Sequence, residues 1–332
     1  MMIEGIEILA FLKQVGFALA GAGSLWGLYF YYKQRNTIGE EKKVMEQVSQ
    51  KMLKPIGIGL LAVLVAWALF DFTTSYSVAG HEGITIDPDK EGFISGLEFK
   101  EPLLLAILIL FMASVFYKVY TPSSFVNNSY LFYLPMLVFS TIAISFPIWT
   151  GEFDYEKWFF IGHNFHSILT LGTVVILDFL MLITKHTKGY DYYIYPLLPT
   201  ISKVIWLGLF LDFASVYLVY YEAIEFTAKF AFMQTVVGII VINGALLSGP
   251  ITNKMIETVK KGRHKLPWKW EVIATISGTV SIASWTTITF TDFLKGIDGV
   301  SYLTLMAFYI GFIALGFVVY SQLEHYKVGS KL

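Results

Sequence analysis

The sequence contains no cysteine and few charged residues. Of its 332 residues, 15% are charged and 55% are hydrophobic, whereas a soluble domain carries about 25% charged residues. The absence of cysteine excludes disulfides, thiolate metal sites and cysteine nucleophiles. The net charge of −1 lacks the basic excess that nucleic acid requires, so no nucleic-acid partner is expected. The mean hydropathy of +0.61 instead predicts a protein that lies in the lipid bilayer.

Nine apolar stretches are each long enough to cross about 30 Å of hydrocarbon as a helix. Backbone polar groups in lipid are satisfied only in helices or in a closed barrel, and these stretches are too long and too continuously apolar for barrel strands. The predicted fold class is therefore all-α, a polytopic membrane protein with about nine transmembrane helices. The stretches are residues 7–32, 53–76, 101–120, 129–150, 159–184, 200–221, 226–249, 270–291 and 301–322.

The distribution of Lys and Arg predicts the orientation in the membrane. Most of these residues lie in connections that follow odd-numbered stretches, above all in 33–54 and 254–269. Cytoplasmic loops carry the excess of Lys and Arg, so we expect a cell (plasma or inner) membrane protein with its N-terminus outside and its C-terminus cytoplasmic. The amphipathic segment 33–54 predicts a cytoplasmic helix that lies on the surface or extends the second span.

Weak internal similarity predicts a parallel duplication of a four-helix unit plus one extra helix. Residues 54–61 resemble residues 203–210, and two copies of an even number of helices share one orientation. The predicted domains are a first repeat at 1–156 with a long outer loop at 77–100, a second repeat at 157–296, and a ninth helix with a cytoplasmic tail at 297–332.

Two histidines open the fifth stretch and form the first candidate site. His163 and His166 are three residues apart and so share one helix face, on the same side of the membrane as His81 and Glu82. Imidazole binds copper and other transition metals and also ligates haem iron. The spacing predicts a transition-metal site or a b-type haem site. The alternative is that the histidines bridge the membrane interface or bind a neighbouring helix.

Carboxylate and amide side chains inside the predicted spans form the second candidate site. An intramembrane carboxylate is costly and marks a functional site by default. Asp212 is expected near mid-bilayer, and Asp178 is expected closer to the cytoplasmic end of its helix. The predicted intramembrane polar path consists of Asp178, Asp212, Asn243 and Gln234. In the alternative interpretation these groups hold neighbouring helices together by static hydrogen bonds.

Short patterns between residues 160 and 292 carry a family resemblance. They are His163 and Asp178 on the fifth stretch, Lys203-Val-Ile-Trp-Leu-Gly-Leu on the sixth, Ile242-Asn243-Gly244 on the seventh and Ser281-Ile-Ala-Ser-Trp285 on the eighth. With these patterns, the segment resembles a family of small bacterial four-helix membrane proteins and, more distantly, the copper-resistance D family. The resemblance implies a helical membrane fold with histidines near helix ends, and copper handling or haem binding.

The sequence leaves three functions open. The first is the transport or binding of a metal cation or protons from the outer face. The second is a b-type haem electron carrier. The third is a non-catalytic scaffold subunit that contacts other membrane subunits. No Walker motif, dinucleotide fingerprint or H-E-x-x-H motif is present, so enzymatic activity is not expected.

Overall fold

The computed structural model describes residues 5–69, 91–120, 129–144, 162, 164–187, 189–219, 226–263, 266–294, 297 and 299–329, and every regular element within these ranges is helical. Two π-helical turns, Ile168–Gly172 and Leu247–Ile251, and one 3₁₀ turn, Tyr195–Leu197, adjoin α-helices. The α-helices are α1 (Gly5–Arg35), α2 (Gly39–Lys51), α3 (Leu53–Leu69), α4 (Glu91–Tyr120), α5 (Tyr130–Ile144), α6 (Thr173–His186), α7 (Tyr190–Ile194), α8 (Leu198–Val219), α9 (Ala228–Leu246), α10 (Thr252–Lys260), α11 (Trp268–Phe293) and α12 (Tyr302–Gly329).

The helices coincide with the apolar stretches of the sequence. Five continuous helical segments are long and apolar enough to cross a membrane: Gly39–Leu69, Asn164–Thr184, Tyr190–Ser215, Ala228–Lys260 and Trp268–Thr291. Leu103–Val119, Tyr130–Ile144 and Tyr302–Val318 are shorter apolar helices. The all-helical fold is thereby confirmed for the described residues and indicates an integral membrane protein. The number of nine spans and the orientation stay predictions.

Two segments that the sequence placed in loops are helical. The predicted outer loop 77–100 ends earlier than expected, because α4 begins at Glu91 and runs for 30 residues. In the second segment, only Met52 separates α2 from α3, and Met52 itself keeps a right-handed helical conformation (φ −63°, ψ −18°). The amphipathic helix of segment 33–54 therefore extends the second span.

The chain forms two compact units. One comprises Ile3–Tyr193 with Lys203–Ile224, and the other comprises Ile194–Ser202 with Glu225–Leu332. The division falls at a different place from the predicted domain boundary at residue 156. The predicted duplication remains untested by this division, because compactness does not report on a shared ancestry of repeats.

In the unit that contains the N-terminal half of the chain, α1 is the central helix. It packs against α2, α3, α5, α6 and the π-helical turn Ile168–Gly172. Small residues allow the backbones to approach: a Cβ added to Gly59 would lie 2.4 Å from the carbonyl oxygen of Gly16. Close backbone approach through small residues is how membrane helices associate without a hydrophobic driving force. Large apolar side chains such as Trp26 and Phe30 fill the remaining volume around α1.

The unit at the C-terminal end packs α9, α11 and α12 together. Thr227 caps the start of α9 by accepting a hydrogen bond from the amide of Phe230 at 3.1 Å. Hydroxyl groups join the other two helices, because Ser284 on α11 and Tyr309 on α12 share a buried hydrogen bond of 2.7 Å. This unit is therefore connected by polar contacts between otherwise apolar helices.

The close approach of α1 and α3 predicts that an added methyl group at one glycine lowers the stability of the protein. Gly59→Ala places a methyl group against the backbone of Gly16 and Ala20, so we expect a loss of about 1–3 kcal/mol in unfolding free energy, as for overpacked cores. Thermal unfolding in detergent measures this change. Gly238→Ala is the matched control, since no described atom lies within 4 Å of its added Cβ. Equal stability of the two variants would contradict the packing seen here.

Candidate functional site: a histidine–aspartate pair

Two residues that the sequence assigned to different candidate sites lie next to each other. Nε2 of His166 is 3.6 Å from Oδ1 of Asp212. This distance exceeds the usual 2.7–3.2 Å of an N–H···O hydrogen bond but lies within ion-pair range. The two side chains are 18% and 27% exposed, and both belong to helices apolar enough to cross a membrane. The pair therefore couples an imidazole to a carboxylate inside an apolar bundle.

The pair is positioned by two antiparallel helical segments in register. Moving four residues forward from His166 reaches Thr170, and moving four residues back from Asp212 reaches Gly208. These two positions also touch, because a Cβ added to Gly208 would lie 2.6 Å from Cγ2 of Thr170. Gly208 thus lets the backbone of α8 approach the π-helical turn closely. The glycine contact and the His166–Asp212 pair are consecutive levels of the same helix–helix interface.

Hydroxyl groups fix the backbone around both members of the pair. Thr170 donates from Oγ1 to the carbonyl oxygen of His166 at 2.8 Å, and Ser215 donates from Oγ to the carbonyl oxygen of Asp212, also at 2.8 Å. On the residue after His166, Oγ of Ser167 accepts a hydrogen bond from Nε2 of Gln14 at 3.0 Å. The central helix α1 therefore holds the start of the helix that carries His166.

A π-helical turn, Ile168–Gly172, begins two residues after His166. Its wide turn leaves a carbonyl oxygen without the usual i+4 amide donor, and Oγ1 of Thr173 donates to that oxygen of Ile168 at 3.2 Å. The same Oγ1 accepts from Nε1 of Trp26 at 3.1 Å. A Cβ added to Gly172 would lie 2.3 Å from the carbonyl oxygen of Ala18. Packing against α1 and a buried hydrogen-bond chain therefore both hold the turn.

Asp178 lies on the same helical run as His166, twelve residues further along. It makes no hydrogen bond or ion pair with any residue in the described part of the chain. A rise of 1.5 Å per residue separates it from His166 by roughly 16–18 Å along the axis. Asp178 and Asp212 are thus at different depths and form no contact cluster.

The other two members of the predicted polar path belong to the second compact unit. Asn243 on α9 is buried and donates from Nδ2 to the carbonyl oxygen of Ser277 on α11 at 2.8 Å. Gln234, on the same helix as Asn243, is partly exposed. The bond to Ser277 gives Asn243 a helix-joining role, in accord with the alternative interpretation for this residue. Whether either residue belongs to a functional path stays a prediction.

The remaining candidates for metal binding lie outside the described residues. These are His81, Glu82 and His163. Within the described ranges, no group of three or more His, Cys, Asp or Glu side chains is arranged to hold a metal ion. His166 is the one member of the predicted metal or haem set whose surroundings the structure gives, and its neighbour is a carboxylate.

Sequence reasoning identified both members of the pair without predicting that they meet. The available signal was the antiparallel arrangement of consecutive spans, which places the beginning of one span beside the end of the next. The π-helical turn and the hydroxyl bonds of Thr170, Thr173 and Ser215 were not predicted, because threonine and serine are common in membrane helices. Comparison with family models, with curated proteins and with solved structures finds no match.

The bond from Asn243 predicts a defined loss of stability. Asn243→Ala removes the donor to the Ser277 carbonyl, and we expect the unfolding free energy to fall by about 1 kcal/mol, in the range measured for hydrogen bonds between membrane helices. Unfolding of the detergent-solubilised protein measures this effect. Asn253→Ala, at an exposed position after the second π-helical turn, is the control. A similar loss in both variants would argue against a specific bond.

Proposed function

We propose that this chain is an integral membrane protein that takes up protons at the outer face through the His166–Asp212 pair and passes them into the bilayer interior. The observation that carries the proposal is the 3.6 Å approach of the imidazole and the carboxylate between two apolar helices. An aspartate inside a membrane helix costs about 2.5–3.5 kcal/mol on insertion scales. An adjacent imidazole that accepts a proton offsets part of that cost.

The chemistry of the pair suits reversible protonation. Histidine is the side chain that ordinarily changes charge between pH 5 and 8, and a neighbouring carboxylate favours its charged form. A proton that arrives at His166 therefore forms an ion pair with Asp212 rather than an isolated intramembrane cation. Transfer of that proton from Nε2 to the carboxylate leaves two neutral groups. Both states avoid an unbalanced charge in a medium of low dielectric constant.

The position of the pair supports uptake from one face. His166 is the third residue of the segment Asn164–Thr184, and Asp212 lies in the C-terminal half of α8 (Leu198–Val219). Both groups therefore lie near the same end of their helices, which the positive-inside rule predicts to be the outer end.

The proposal predicts that each member of the pair is required for proton flux. Asp212→Asn and His166→Gln preserve side-chain size and remove the acid and the base. We expect each to lower the rate of pH equilibration by at least about tenfold, since a positioned proton-transfer group contributes about 10²–10⁴-fold. The measurement uses proteoliposomes of the full chain, with a trapped pH-sensitive dye and a potassium diffusion potential.

Asn253→Ala is the control for a polar change, because Asn253 is exposed and lies outside the predicted polar path. A wild-type protein whose flux equals that of empty liposomes would overturn the proposal. Wild-type flux in folded His166→Gln protein would do the same. A pair that serves only to hold the helices together would change unfolding and leave flux untouched.

Copper or another transition metal, and b-type haem, are the alternatives that the histidines and the family resemblance predict. They are tested by elemental analysis and an optical spectrum of the purified protein. A proton pair predicts neither stoichiometric metal nor a Soret band. Metal or haem that is lost in a His163→Ala/His166→Ala double variant would replace the proton proposal. Co-purifying membrane subunits, with no flux and no cofactor, would favour the scaffold role and a docking function for loop 77–100.

A further inference from the structure

We propose that Asp178 is a second proton-carrying group and that the π-helical turn Ile168–Gly172 aligns it with His166. This inference rests on the proposed function and adds to it the direction in which the proton leaves the pair. Asp178 is partly exposed and makes no hydrogen bond or ion pair with the described residues. A carboxylate used only to join helices would have a partner, as Asn243 has in the Ser277 carbonyl.

The π-helical turn decides which face Asp178 occupies. In an uninterrupted α-helix, twelve residues correspond to about 3.3 turns, so Asp178 would point about 120° away from His166. A π-helical turn closes with an i→i+5 bond and takes up one residue more than an α-turn. Twelve residues then rotate like eleven, or about 3.1 turns, and the two side chains lie within about 20° of each other. The turn lies between the two residues, at 168–172.

The shared face is the one that meets α8. His166 approaches Asp212, and Thr170, one level further along, approaches Gly208. Asp178 continues this row two turns beyond Thr170. The distance of about 16 Å along the axis is too long for direct transfer. The Thr170 hydroxyl and intervening water molecules therefore relay the proton. This relay requires that water can enter the interface between the two helices.

The transfer is balanced in protons and charge. Protonated His166 releases the proton from Nε2, the hydroxyl and water chain relays it, and the Asp178 carboxylate accepts it to become a neutral carboxylic acid. Release to water toward the opposite face restores the carboxylate. Among the elements packed around this helix, α1 carries the buried Lys13 and α8 carries Asp212. Lys13 precedes Gln14, which bonds Ser167, so it lies near the level of His166 and not of Asp178.

The first test compares proton flux in four variants of the full chain in proteoliposomes. Asp178→Asn is expected to reduce flux at least tenfold, as His166→Gln does, and Asp178→Glu is expected to restore at least a third of the wild-type rate. Asn253→Ala, at an exposed position outside the polar path, serves as the control. Elution as a single species and a cooperative unfolding transition establish that each variant is folded.

The second test asks whether flux depends on the helix face that the carboxylate occupies or only on the presence of a carboxylate at that depth. In the double variant Asp178→Asn/Phe179→Asp, the acid keeps its depth but turns by about 100°. We expect flux as low as in Asp178→Asn. Wild-type flux in this double variant would overturn the alignment by the π-helical turn.

The outcomes distinguish the two proposals. Wild-type flux in His166→Gln would remove the proposed function itself. Loss of flux in His166→Gln together with wild-type flux in Asp178→Asn would leave the pair in place and overturn only the role of Asp178. Loss of flux in both, with recovery in Asp178→Glu, is the result that the inference requires.

Discussion

The close backbone approach of helices to α1 is the constraint on which the rest of the N-terminal unit depends. Gly16 on α1 meets Gly59 on α3, and Ala18 on α1 meets Gly172 at the end of the π-helical turn. The contact at Gly172 holds the helix that carries His166 against α1. That helix in turn accepts α8 through Gly208. The His166–Asp212 pair therefore depends on a series of small-residue contacts that begins at α1, although neither Gly16 nor Gly59 touches the pair.

The sequence predicted the helices well and their associations poorly. Apolar length determines where a chain can cross a bilayer, and this depends on composition within one segment. For that reason the described part of each apolar stretch is almost entirely helical, although helix α4 begins at Glu91 inside the predicted outer loop. Which helices touch depends on a few small residues whose partners are distant in sequence. Gly59 and Gly172 carry such contacts, whereas Gly238, also glycine within a helix, has no described atom near its added Cβ.

The candidate site illustrates the same limit. A histidine and an aspartate inside apolar stretches stand out from composition alone, so His166, Asp178 and Asp212 were predicted as functional residues. Which of these residues lie together could not be predicted, because the depth of a residue in the membrane does not determine the face of the helix that it occupies. His166 and Asp212 meet because two helices lie antiparallel and in register. The face that Asp178 occupies depends on a local change in helical periodicity at the π-helical turn. An ordinary period of 3.6 residues places Asp178 about 120° from His166, whereas the π-helical turn between them reduces this angle to about 20°.

The two π-helical turns have different physical causes. The turn Leu247–Ile251 contains Pro250, which lacks an amide hydrogen and cannot make an α-helical bond. The turn Ile168–Gly172 contains no proline. In both, a threonine five residues after the first carbonyl donates a hydrogen bond to it, from Thr252 to Leu247 and from Thr173 to Ile168. Because lipid offers no water to satisfy that oxygen, the hydroxyl makes the wide turn tolerable in a membrane helix. Without proline as its cause, the first turn is maintained by its tertiary contacts with α1, which is the expected situation for a turn that serves a site.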